Sequence, residues 1–124
     1  MAGAAIDAIW WTGDLAALIV YENWSLGKMK AYLVLDLAVH DLAGFKPYIA
    51  GIPAFIEKHS GKYIIQGVRP TIMEGDWSPE RIVVIEFPAR KNAEAFLSDP
   101  DCQDLFRVRH KTTTSKLVLA DGCS

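Results

Sequence analysis

The 124-residue chain predicts a single α+β domain with the element order βαββαβ, preceded by a short appendage, and three observations carry that prediction. Two runs, KAYLVLDLAV (30–39) and RIVVIEFP (81–88), are near-continuous apolar stretches rich in β-branched and aromatic residues, the pattern of buried strands. Between them Phe45, Tyr48, Ile49, Ile52, Phe55 and Ile56 recur at spacings of three and four, the period of a helix with one apolar face. A composition of 51% hydrophobic and 23% charged residues with only two cysteines suits one hydrophobic core that needs neither metal nor disulfide.

Taken in order, residues 30–39 read as a strand apolar enough for burial on both faces, broken only by Asp36. Asp41 then offers a cap for the helix. Pro47 and Pro53 each remove a backbone donor, so the helix is expected either to start near Lys46 or to kink around Pro53. Its end is expected at His59-Ser60-Gly61, with Gly61 in the left-handed conformation. KYIIQGVRPTIMEG (62–75) is β-rich but interrupted by Gly67 and Pro70, which suits an edge strand with a bulge. The composition of residues 75–79 marks a turn, and RIVVIEFP completes a hairpin. ARKNAEAFLSD (89–99) is helical by propensity, with Ala93, Phe96 and Leu97 on one face. Asp99-Pro100 caps a further helical segment running to about Lys111, from which Leu105, Phe106 and Val108 reach the core, and SKLVLA (115–120) is the last strand.

This order makes a four-stranded antiparallel sheet with the helices on one side, a ferredoxin-like sandwich over residues 29–124. The other sheet face then poses a problem, because the strand at 81–88 carries Ile82 and Val84 on one face and Val83, Ile85 and Phe87 on the other. A second copy of the sheet, as in a symmetric homodimer, is the simplest cover.

Residues 1–28 are a different kind of sequence. They hold Trp10, Trp11 and Trp24, three of the four tryptophans, and with Asp7, Asp14, Glu22 and Lys28 they carry the whole net charge of −2. The apolar run Leu15 to Tyr21 is too short to cross a bilayer and has none of the flanks of a secretory signal. A short helical or irregular accessory element is expected there. A nearly neutral chain offers no field for nucleic acid or an anionic membrane, and Cys102 and Cys123 have no metal-ligand spacing, so a reduced, cytoplasmic protein is expected.

Several pieces of the sequence together resemble a known family: SGKYIIQG, the Glu74-Gly75 pair, PERIVVIEFP, AEAFLSDPDCQ, and Arg109 followed by the last strand. From Met29 to Gly122 the chain resembles the bacterial "domain of unknown function 1330" family, of the dimeric α/β-barrel superfamily in which two ferredoxin-like sheets face each other. The resemblance implies that fold and dimer, and no established activity. This chain has Gln66 where the family usually has a basic group, with Arg69 close enough to substitute, and Cys102 where an aromatic is common.

Asp36 and Glu86 are carboxylates inside otherwise apolar strands. Burying an ionised carboxylate is costly unless it is paired, so each is expected either to have a basic partner or to carry a raised pKa. Neighbouring strands place both on the barrel-facing surface with Tyr32, Val34, Ile82 and Val84. One reading makes Glu86, and secondarily Asp36, a general acid/base in a cleft whose ligand contacts are Tyr32, Gln66, Arg69, Trp77 and Arg109. The other pairs Glu86 with Arg69, Arg81 or Arg109 as a structural or dimer-interface ion pair, and for Arg109 a salt bridge that ties its helix to the sheet is the favoured reading. His40, His59 and His110 have no mutual ligand spacing, and phosphate-loop, dinucleotide and nucleophile-elbow motifs are absent, so no metal or cofactor is expected. The function expected is the binding of a small polar or anionic organic molecule, with cofactor-free proton-transfer or oxygenase chemistry if the protein is an enzyme. The alternative is a non-catalytic interaction module whose buried charges fix the dimer.

Overall fold

A computed structural model describes residues 29–123, and the sequence prediction for the appendage lies outside them. The elements are β1 (Ala31–Val39), α1 (Leu42–Lys58), β2 (Lys62–Val68), β3 (Arg81–Phe87), α2 (Arg90–Ser98), a 3-10 turn (Pro100–Cys102), α3 (Gln103–Thr112) and β4 (Thr113–Asp121). The sheet order is β2-β3-β1-β4 with every neighbouring pair antiparallel, the βαββαβ sandwich expected from the sequence.

Period-two alternation sorts the strand residues. Ala31, Leu33, Leu35 and Leu37 of β1 and Val83, Ile85 and Phe87 of β3 are buried beneath the helices. All of these but Ala31 meet Phe45, Tyr48, Ile52 and Ile56 of α1, Ala93 and Phe96 of α2, and Phe106 of α3 in one core. The alternate residues Tyr32, Val34, Asp36, Ile82, Val84 and Glu86 face away from the helices and are only half-buried. β1 is therefore buried on one face, not two, because none of the described helices packs on the other side of the sheet.

The helix α1 begins at Asp41, whose Oδ1 accepts from the Gly44 N–H at 3.0 Å, and not near Lys46. Both prolines lie inside the helix, and each leaves the carbonyl four residues back, on Ala43 and Ile49, without its helical donor. At the other end Ser60, not Gly61, takes the left-handed conformation, with φ 67°. Gly61 is required for space: a Cβ there would lie 2.6 Å from Phe87 Cε1 and 2.9 Å from Ile56 Cγ2.

The strand β2 is the edge strand the sequence predicts, with register shifts between Tyr63 and Ile65 and between Gln66 and Val68. Gly67 sits at the second shift with φ 73°. Asp99 accepts from the Asp101 N–H at 2.9 Å and starts the 3-10 turn that leads into α3. The last strand, β4, is longer than expected because it begins directly where α3 ends.

Candidate functional site

The predicted site residues divide between the two faces of the sheet. On the open face, Tyr32 of β1, Glu86 of β3 and Lys62 of β2 lie in register across three strands. The Tyr32 hydroxyl donates to Glu86 Oε2 at 3.0 Å, while Lys62 Nζ and Lys30 Nζ approach Glu86 Oε1 at 3.4 and 3.7 Å. Burial pushes the Glu86 carboxyl up, but the Tyr32 hydroxyl and the two ammonium groups together outweigh it and hold the group below the usual carboxylate range. The same hydrogen bond, with burial, raises the Tyr32 phenol above its ordinary value. Glu86 is thus ionised and already paired, and its cations are Lys30 and Lys62 where the sequence reading put Arg69, Arg81 or Arg109.

Asp36 lies further along the same face. The Trp77 indole N–H donates to Asp36 Oδ2 at 2.7 Å, so the loop between β2 and β3 folds back across β3 to reach β1. Around these polar groups the face is apolar. Val68 and Val118 are more than half exposed on it and Ile65 is exposed beside them, while Trp77, Ile72 and Met73 of the loop between β2 and β3 are exposed as well.

Arg109 is on the other side of the sheet. Only 5% exposed, its guanidinium donates through Nη1 to Ser115 Oγ of β4 at 2.9 Å. The group lies between the rings of Tyr48 and Phe106, 5.9 and 5.7 Å from their centroids. It ties α3 to the sheet as a helix-to-sheet link, but through a hydroxyl and two aromatic faces, since no carboxylate of the described residues forms an ion pair with it. Its Nε has no hydrogen-bond partner among them. Arg69 is exposed at the end of β2. The single cleft lined by Asp36, Gln66, Arg69, Glu86 and Arg109 is therefore not formed in this chain, because strand alternation sends Asp36 and Glu86 to the face opposite Gln66 and Arg109.

Gln66 reaches a concave site of the described residues. A cavity of about 430 Å³ opens between α1 and the helix-facing side of the β2–β3 edge. Its apolar walls are formed by Leu35, Leu37, Val83 and Ile85 below and by Phe45, Ile49 and Ile52 above. The polar side chains lining it are Tyr48, Tyr63, Gln66 and Arg81, with no aspartate, glutamate or histidine among the described residues. Gln66 pairs with Val83 and Tyr63 with Ile85, so both share the helix-facing side of β3. Arg81 pairs with Leu37 and donates from Nη1 to the Gly67 carbonyl at 2.9 Å, which anchors the bulged edge of β2 to the start of β3. Burial pushes the Tyr48 phenol up to about 12, against the lowering effect of Arg109, and burial also raises Tyr63. Both phenols stay neutral, as hydrogen-bond donors, through the physiological range.

Sequence reasoning missed Tyr48, Tyr63 and Arg81 as site residues. It also missed the cluster that closes the far end of α1, where buried Asp99 accepts from Lys58 Nζ and meets His59 Nε2, both at 2.8 Å. These contacts, led by Lys58, hold the Asp99 carboxyl well below the usual range. Among the described residues no group of three or more His, Cys, Asp or Glu is placed to hold a metal ion, and no described helix is long and apolar enough to cross a membrane.

Comparison with solved structures finds the same fold at low identity. A protein of unknown function from Rhodopseudomonas palustris superposes with a TM-score of 0.67 at 12% identity, covering 90% of this chain and 96% of that one. SnoaB from Streptomyces nogalater, a cofactor-independent oxygenase, gives 0.54 at 17% identity, covering 73% and 90%. A hypothetical protein of Arabidopsis thaliana gives 0.57 at 11% identity, covering 79% and 92%. Comparison with functionally curated proteins gives no match. The model of DUF1330, a domain of unknown function, matches residues 30–123, and the chain belongs to that family.

Proposed function

We propose that the domain works as a homodimer joined through the open sheet face and binds a small organic molecule in the cavity between α1 and the sheet. The observation that carries the binding reading is the cavity itself. Its volume falls in the range of small-molecule sites, and its lining combines a mostly apolar wall with a few convergent polar groups. The dimer reading rests on the exposed apolar residues of the open face, which form a patch of the kind that monomers rarely leave to water.

In this reading the two faces have separate tasks. Glu86, Tyr32, Lys30 and Lys62 set the register of the dimer, while the cavity residues meet the ligand. A second reading, a non-catalytic interaction module, is favoured by that same ionised and fully engaged Glu86. Cofactor-free oxygenation is the chemistry to assay first, by analogy of fold with SnoaB alone. Fragment screening by protein-observed NMR on the full chain tests the binding reading. Shifts confined to residues of α1, β2 and β3 that line the cavity support it, and shifts confined to Val34, Val84 and Val118 overturn it.

A further inference from the structure

The cavity has one polar wall. Tyr63 and Gln66 of β2 and Arg81 of β3 follow one another along the sheet edge, whereas β1 and the overlying helix supply mainly carbon, from Leu35, Leu37 and Ile52. Each polar side chain on that wall can donate a hydrogen bond, one of them carries a fixed positive charge, and none carries a negative charge. The exposed Arg81 engages one N–H, on the Gly67 carbonyl, in the hydrogen bonds of the described residues, so the planar fork keeps donors for a second acceptor. Behind Tyr48 lies the buried guanidinium of Arg109, without a carboxylate partner among the described residues, which adds positive potential on the same side of the sheet.

From this arrangement, and resting on the reading of the cavity as a ligand site, we infer that its ligand class is an apolar organic anion. The hydrocarbon or ring body lies against Leu35, Leu37 and Ile52, and the charged oxygens meet Arg81 and Gln66 at the edge of the sheet. A cation of the same shape would meet Arg81 with no acid of the described lining to offset it, and a neutral molecule would forgo the charge-assisted hydrogen bonds. The raised phenols of Tyr48 and Tyr63 fit this chemistry as neutral donors. Since no carboxylate or imidazole of the described residues lines the cavity, the molecule is expected to enter already ionised.

The test uses three probes with one carbon skeleton, 2-naphthoate, 2-naphthalenemethanol and 2-naphthylmethylammonium, titrated into the full-length protein by calorimetry with NMR to locate binding. The expected order is carboxylate tightest by about tenfold or more, the gain of a charge-assisted pair over a neutral contact, with the ammonium weakest. The variant Arg81→Gln is expected to lose about tenfold in affinity for the carboxylate and to leave the alcohol unchanged, while Arg81→Lys retains part of the preference. If Arg81→Gln fails to fold, Gln66→Leu serves instead, with a smaller loss confined to the carboxylate. Equal affinities for the three probes, or preference for the ammonium, overturn the anion inference and leave the cavity reading standing. If no probe moves the resonances of the cavity residues, the cavity reading itself fails.

Discussion

Replacing Gly61 by alanine places a methyl group 2.6 Å from Phe87 Cε1, 3.0 Å from Phe87 Cδ1 and 2.9 Å from Ile56 Cγ2. Ordinary carbon contacts are about 3.5–4.0 Å, so the overlap approaches ~1 Å. Phe87 is fully buried and packs against Phe96 with ring centroids 5.6 Å apart, which leaves its ring little room to retreat. Overpacking of this kind typically costs about 1–3 kcal/mol. Urea unfolding followed by far-UV circular dichroism reads the loss as a lower midpoint at unchanged slope. The cause is isolated by a double-mutant cycle with Phe87→Leu, in which Gly61→Ala is expected to cost about 1 kcal/mol less than in the parent. Additive effects, to within about 0.5 kcal/mol, would refute the claim that Gly61 is glycine because of the ring beneath it. The neighbouring strain behaves differently: Ser60→Gly relieves a left-handed residue and is expected to be neutral or stabilising by up to about 1 kcal/mol, the gain being offset by the extra freedom of the unfolded chain.

Other outcomes follow from the polar clusters. Asp99→Asn removes a carboxylate held below its unfolded value of 3.8, so the parent carries a stabilisation that is present above that pH and lost progressively as pH falls below it. The variant is expected to show a shallower decline in stability between pH 4 and pH 2, and curves of equal slope would contradict the assignment. Glu86→Gln is expected to weaken self-association, read by analytical ultracentrifugation, while leaving 2-naphthoate binding unchanged, and loss of binding with the association intact would return Glu86 to the ligand site. Trp77→Phe keeps an aromatic side chain but removes the N–H that reaches Asp36, so limited proteolysis of the 69–80 loop is expected to quicken, and an unchanged cleavage rate would show that the hydrogen bond does not hold the loop.

The fold was legible because the near-continuous apolar runs of β1 and β3 and the helical period of α1 were strong and agreed with the turn chemistry at Asp41, Gly67 and Asp99. Gly61 was misread because the rule for helix ends concerns the chain alone, whereas the reason for this glycine is Phe87, 26 residues later in the sequence and adjacent in space. The partners of Glu86 depend on register. Lys62 stands directly opposite it on β2, and only the pairing of the strands places that lysine nearer than any arginine. Arg109 carried a signal that went unused: three residues after Phe106 on α3, it shares the buried helix face, which directs it to the core and away from the barrel side. The cavity was hidden for a related reason. The two register shifts of β2 decide which of its side chains face α1, and the sequence marks the bulge at Gly67 without giving the resulting alternation.

The most direct test of the account is intermolecular NOE measurement between 2-naphthoate and the methyl groups of the full-length protein. The two-face account predicts contacts to Leu35, Leu37, Ile52 and Ile85 on the helix-facing side. Contacts to Val34, Val84 and Val118 in their place would put the ligand on the open face and contradict it.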